Sequence, residues 1–219
     1  KNTMLRSTKP VIAVCAVRTG AGKSQVVRYI AEIIRQAGLR AVVVRHPMPY
    51  GYLARQAVQR FSSRADLDAA DLTLEEREEY ERHIDRGTVL YAGVDYHRIL
   101  DQAQSEADVI LWDGGNNDTP FFQPNLWITV ADALRPGHEI SYYPGETNLL
   151  AADLILINKA NSAAEEDIIA IQANASRLNP GAEVVVAGSE VRAVDPGMVS
   201  GERVLIVEDG PTITHGGVA

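Results

Sequence analysis

The chain predicts an α/β fold, with a doubly wound, mostly parallel sheet and helices on both faces. Three observations carry that expectation. Short apolar runs bounded by turn residues recur along the 219 residues, amphipathic stretches alternate with them, and a glycine-rich segment joins the first run to the first amphipathic stretch. Strands alternating with helices are the signature of βαβ units, whose crossovers cover a parallel sheet on both sides.

The elements follow in order. Residues 11–17 form an apolar strand, and Val26, Val27, Ile30, Ile33 and Ile34 then recur at helical spacing up to Gly38, placed as a C-cap. Residues 41–44 read as a second buried strand, running into Arg45-His46-Pro47-Met48-Pro49-Tyr50-Gly51, where two prolines stiffen the ligand-binding edge of the sheet. A helix is expected over 53–61. Thr73 with Glu76 makes a capping box for a charged helix over 75–86, on which Glu75, Glu76, Glu78, Glu79 and Glu81 read as a solvated face rather than a metal cluster. His83 and His97, on charged helices, are given no chemical role. A strand over 89–92, a helix over 95–107 and a strand over 109–112 ending in Asp113 come next. Further strands are expected at 126–131, 154–158, 183–187 and 204–207, with a helix over 165–178. The connections 114–125 and 132–147 carry Gly, Pro, His and Tyr, the composition of loops that bind rather than merely connect.

The bulk numbers bound the function. A chain with 46% apolar residues buries a full core, and its length suits one domain over residues 1–219. The net charge of -8 argues against a general nucleic-acid binder, which needs a basic face to displace counterions. Anionic ligands must therefore be held by local clusters. The single cysteine, Cys15, has no internal partner and fits a reducing cytoplasm. No apolar run approaches the roughly 20 residues that span a bilayer, and the start carries no signal-like stretch, so a soluble, cytoplasmic protein without membrane partners is expected. A homo-oligomer is compatible with these numbers. Beginning with Lys1 and ending at Ala219, the chain is expected to be a segment of a longer polypeptide.

Arg18-Thr19-Gly20-Ala21-Gly22-Lys23-Ser24, between an apolar strand and a helix start, has the form of a P-loop. Glycines let successive backbone N–H groups turn toward phosphate oxygens, while the helix that follows directs its positive dipole end at them. The loop is a variant: Val17 stands where the usual first glycine falls, and Arg18 stands five residues before Lys23, where a deviant subgroup carries a second, signature lysine. Thr19, Gly20, Ala21, Gly22, Lys23, Ser24 and Gln25 are expected to contact the nucleotide. Ser24 and Asp113 are expected to hold magnesium, and Lys23, Arg18 and Asp113 to serve catalysis. Gly114-Gly115-Asn116-Asn117-Asp118 would allow close approach to a γ-phosphate. Asn158-Lys159-Ala160-Asn161 resembles the base-reading motif of GTPases, with Asn158 and Lys159 bracing the loop and base. Asn161 presents one acceptor and one donor where guanine recognition needs two acceptors, which favours ATP. Arg45, His46, Arg135 and His138, with Arg18, are expected to form a second anion site for a small phosphorylated acid.

Those blocks, together with Tyr91-Ala92-Gly93-Val94-Asp95-Tyr96, Tyr142 to Asn148, and Glu208-Asp209-Gly210-Pro211-Thr212 with Thr214-His215-Gly216-Gly217, resemble the cyclic 2,3-diphosphoglycerate synthetase family nearly end to end. The resemblance implies a magnesium- and ATP-dependent synthetase that closes an intramolecular phosphoanhydride in 2,3-bisphosphoglycerate and releases ADP and phosphate. A regulatory or metal-delivery P-loop GTPase is the alternative suggested by Asn158-Lys159 and the variant loop. A domain that binds nucleotide without turnover is a third.

Overall fold

A computed structural model describes residues 3–48, 52–115, 118–193 and 195–205. Eight strands form one sheet: β1 (Val11–Ala16), β2 (Ala41–Arg45), β3 (Gln59–Phe61), β4 (Val89–Ala92), β5 (Val109–Gly114), β6 (Leu126–Asp132), β7 (Leu154–Asn158) and β8 (Glu183–Val186). Their spatial order is β3-β4-β2-β5-β1-β6-β7-β8. Every pairing is parallel except β3 with β4. The helices are α1 (Lys23–Gln36), α2 (Arg64–Ala69), α3 (Leu74–Ile84), α4 (Tyr96–Glu106), α5 (Gly145–Ala151) and α6 (Glu165–Leu178).

Strand alternation sorts the core into two layers. Val14, Ala16, Val43, Leu90 and Leu111 pack with Val27, Ala31 and Ile34 of α1 and with Tyr80 and Ile84 of α3. Ala13, Val42, Val44, Ile110 and Trp112 point the other way and pack against Ile99, Leu100 and Ala103 of α4. Cys15 and Val17 continue that second face toward Leu149 of α5 and Ile171 and Ala175 of α6. Burial pushes the Cys15 thiol up to about 12, so it behaves as a small apolar core group. Helix α1 ends at Gly38, where φ of 77° lets Leu39 N–H reach Ile34 C=O, a Schellman closure.

Two expectations are corrected. Residues 53–61 are not one helix: a 3₁₀ turn (Leu53–Gln56) leads into β3, where Gln59 pairs with Ala92 and Phe61 with Leu90. The competing gain is burial of Phe61, 2% exposed and 5.3 Å from the Tyr80 ring, together with pairing of the exposed edge of β4. Helix α2 follows, begun by a Ser63–Asp66 capping box. The strand expected at 204–207 does not form over Val204 and Leu205, and its remainder lies outside the described residues. So do Pro49, Tyr50 and Gly51 of the proline turn, Asn116 and Asn117, and the motif-like segment 208–217.

Candidate nucleotide site

The loop 17–22 leaves the carboxyl end of β1 and hands the chain to α1. Gly22 takes φ of 100°, and a Cβ there would sit 2.2 Å from Asn158 Nδ2, so glycine is required both by conformation and by space. No side chain caps α1. The N-terminus of this 14-residue helix, with Gly20 and Gly22 both at positive φ, presents a backbone cradle suited to phosphate oxygens.

Because β1 and β5 are neighbours, the head of α1 meets the end of β5. Lys23 Nζ donates to Asp113 Oδ1 at 2.5 Å and to the Asp113 carbonyl. Arg45, the last residue of β2, donates from Nη1 to Asp113 Oδ2 at 2.6 Å and pairs through Nη2 with Glu79 of α3. Burial by itself would raise the Asp113 carboxyl, but Arg45 and Lys23, with His83, hold it well below the usual carboxylate range. The ammonium and carboxylate of this pair are what a magnesium triphosphate would rearrange, since phosphate competes with Asp113 for Lys23. Among the described residues no three His, Cys, Asp or Glu side chains cluster to hold a metal alone. Magnesium held by Ser24 and Asp113 would thus also need phosphate or water oxygens, its normal habit.

Helix α3 departs from a fully solvated acidic face. Glu76 is 2% exposed and accepts from Met48 N at 2.7 Å and from Thr73 N at 3.0 Å, tying down the segment after β2. His83 is 1% exposed, with Nε2 3.9 Å from Asp113 Oδ2. Burial, joined by Arg45 and Arg28, pushes its pKa down to about 4 against the pull of Asp113, so it is neutral at pH 7. Its signal was present: Glu76, Tyr80, His83 and Ile84 share one helical stripe.

The loop is braced from the other side. Asn158 Nδ2 donates to Ala21 O at 3.0 Å, and Lys159 Nζ donates to Gly20 O at 2.7 Å and to Asp132 Oδ2 at 2.9 Å. Arg135 Nη1 lies 3.3 Å from the same Asp132 oxygen. Asn161 Oδ1 accepts from Ser189 N at 2.6 Å, and Ser189 Oγ donates to Gln25 Oε1 at 3.0 Å, linking the Asn158-Lys159-Ala160-Asn161 segment to α1.

The five basic side chains expected in one anion site fall into separate groups. Arg18 Nη1 donates to His138 Nδ1 at 2.7 Å and lies 4.9 Å from the centre of the Tyr142 ring. Burial, then Arg18 and Arg135, lowers the His138 pKa. Arg135 is with Asp132. Arg45 and His46, adjacent in sequence, go to opposite faces: Arg45 to α3, His46 to α4, where it lies edge-on to Trp112 and Phe121. Tyr96 Oη is 2.5 Å from His46 Nδ1, and His46 Nε2 is 3.0 Å from Asp118 Oδ2, which also accepts from Gly115 N. Arg18, Arg135 and His138 lie together, His138 N donating to the Arg135 carbonyl at 3.2 Å, whereas Arg45 and His46 lie elsewhere. Thr19 and Ser24 are half-buried beside the loop.

Similarity to solved structures matches this architecture. The chain superposes on the hydrogenase maturation factor HypB from Archaeoglobus fulgidus with a TM-score of 0.51, at 18% identity, over 81% of this chain and 80% of that one. It superposes on LpxK from Aquifex aeolicus, crystallised in complex with ATP, with a TM-score of 0.53 at 15% identity, over 71% and 50%. The fold is that of P-loop NTPases. No protein-family model matches the chain. In sequence it is 56% identical over 218 residues to the arginine synthetase ArcE of Thermococcus kodakarensis, covering 100% of this chain and 49% of that protein. It is 27% identical over 106 residues to the cyclic 2,3-diphosphoglycerate synthetase of Thermococcus sibiricus, covering 48% of this chain and 24% of that protein. The P-loop chain thus spans half or less of the length of the curated relatives it matches. Among the described residues no helix is long and apolar enough to cross a membrane.

Proposed function

We propose that this P-loop domain is the ATP-binding part of an ATP- and magnesium-dependent synthetase that makes arginine. The observation that carries the synthetase reading is 56% identity to an arginine synthetase across the whole chain, against 27% over about half of it for the cyclic 2,3-diphosphoglycerate synthetase. The nucleotide half of the reading rests on geometry: an uncapped helix head, two glycines at positive φ, and a lysine and an aspartate brought together by adjacent strands. In this reading the backbone of residues 19–24 and Lys23 hold the β- and γ-phosphates. Ser24 and Asp113 hold magnesium, which when bound supplies charge neutralisation at the phosphoryl oxygens. Arg18 adds a second positive charge beside the loop, held in place by His138 and Tyr142.

An assay run in the reverse direction tests it without assuming the acceptor. The full-length protein, given arginine, ADP, phosphate and magnesium, should form ATP, because a catalyst for an ADP-releasing synthesis also catalyses its reversal. The competing reading, closest to the sequence resemblance, predicts instead a cyclic product from ATP and 2,3-bisphosphoglycerate, read by phosphorus NMR. ATP formation that depends on arginine supports the arginine reading. A cyclic product without it removes that reading.

A further inference from the structure

Outside the phosphate loop lies a cleft of about 800 Å³, the size of small-molecule sites. Its walls include Met4 and Leu5, the start of α4 at Asp95 and Tyr96, Phe121, and the edge of Trp127. Among the described residues no lysine or arginine lines it. The lining does hold an imidazole, His97, beside Asp95, but no permanently charged cation for a phosphorylated acid among the described residues. Tyr96 and Phe121, which meet edge to face with centroids 4.6 Å apart, contribute aromatic carbon to its walls. Asp95 supplies a carboxylate that makes no ion pair among the described residues, one of its oxygens accepting from Arg98 N at 3.1 Å.

The cleft also communicates with the phosphate edge. The Tyr96 hydroxyl lies 2.5 Å from His46 Nδ1, the far side of that imidazole reaches Asp118 at 3.0 Å, and Asp118 accepts from Gly115 N just past β5. The His46 contact lowers the Asp118 pKa against the raising effect of burial, with Gly115 N and Lys23 adding smaller lowering contributions.

We infer that this cleft is a binding site for a small organic cation carrying a guanidinium or ammonium group, with Asp95 as the counter-charge and Tyr96 and Phe121 as walls. The cation class follows from the lining; the choice of arginine as its occupant rests on the synthetase reading above. The site is distinct from the basic groups around Arg18 and Arg135 and requires none of them.

Calorimetry on the full-length protein tests it, using arginine and, as a cation independent of that reading, butylguanidinium. Asp95→Asn keeps the helix cap, since asparagine caps as well as aspartate. This variant and Phe121→Ala should each weaken both ligands roughly tenfold or more, while ATP affinity stays within about twofold. Unchanged affinity for both cations in both variants overturns the site, as does failure of the unaltered protein to bind either cation. If arginine-dependent ATP formation persists with an unaltered KM for arginine in both variants, the cleft assignment fails and the synthetase reading stands. If butylguanidinium binding depends on Asp95 while no arginine chemistry is seen, the cleft stands and the arginine reading fails.

Discussion

Lys23 Nζ lies 2.5 Å from Asp113 Oδ1, joining the first residue of α1 to the end of β5 through a buried ion pair. Arg45 completes the neutralisation from β2, and Glu79 of α3 balances Arg45. A buried charge deprived of its partner costs far more than an exposed pair contributes. Asp113→Ala is therefore expected to lower unfolding free energy by about 3 kcal/mol, because it strands buried Lys23 and leaves Arg45 with Glu79 alone. Chemical denaturation of the variant checks this; a change below about 1 kcal/mol would contradict the buried network.

His83 gives stability a pH dependence of its own. Its folded pKa is pushed to about 4 from an ordinary 6.5, so between those values the unfolded chain binds more protons than the folded one. The contribution is complete above pH 6.5 and is lost as pH falls toward 4, amounting to about 3 kcal/mol over that window. Asp113, also shifted downward but from a lower ordinary value, keeps its contribution across this range and loses it only in stronger acid. Denaturation at a series of pH values should show a slope between 6.5 and 4 that flattens in His83→Gln. An unaltered slope would place the titrating group elsewhere.

Gly145 opens α5 against the end of β1, where an added Cβ would fall 1.9 Å from the Val17 carbonyl oxygen. The carbonyl belongs to the backbone just before Arg18, so relief must move the loop itself. Gly145→Ala is expected to cost about 1–3 kcal/mol and to weaken nucleotide binding along with stability. Thermal melts with and without ATP would report both; a variant with unchanged melting temperature and unchanged ATP affinity would refute the contact.

Asn161 occupies the place where a base-reading loop would present a carboxylate, and its Oδ1 accepts from Ser189 N. Asn161→Asp supplies two acceptors and no donor. The affinity ratio of GTP to ATP should rise by roughly tenfold, one to two hydrogen bonds' worth. Competition binding with both nucleotides reads it out, and an unchanged ratio would remove residues 158–161 from base contact.

The strand-loop-helix unit at residues 11–36 was legible because its signals are local: an apolar run, glycine spacing, then helical periodicity. The same holds for the strand ending in Asp113. Partnerships set by packing were not. Arg45 and His46 looked like members of one basic cluster, yet alternation at the end of β2 sends them to opposite faces of the sheet. Glu76 read as solvated and His83 as without a chemical role because charge dominates α3, although they fall in register with Tyr80 and Ile84 on its buried stripe. Phe61 joined an edge strand because β4 offered both unpaired backbone and a place in the core beside Tyr80, which no local propensity encodes.

In the proposed function residues 19–24 cradle polyphosphate, and Lys23 is shared between phosphate and Asp113. The most direct test of that cradle is the equilibrium affinity of the full-length protein for ATP with magnesium, compared with that of Lys23→Ala. Loss of binding by about a hundredfold or more, with the circular-dichroism spectrum of the folded protein retained, is the predicted result. ATP bound equally well by the two proteins would contradict the account.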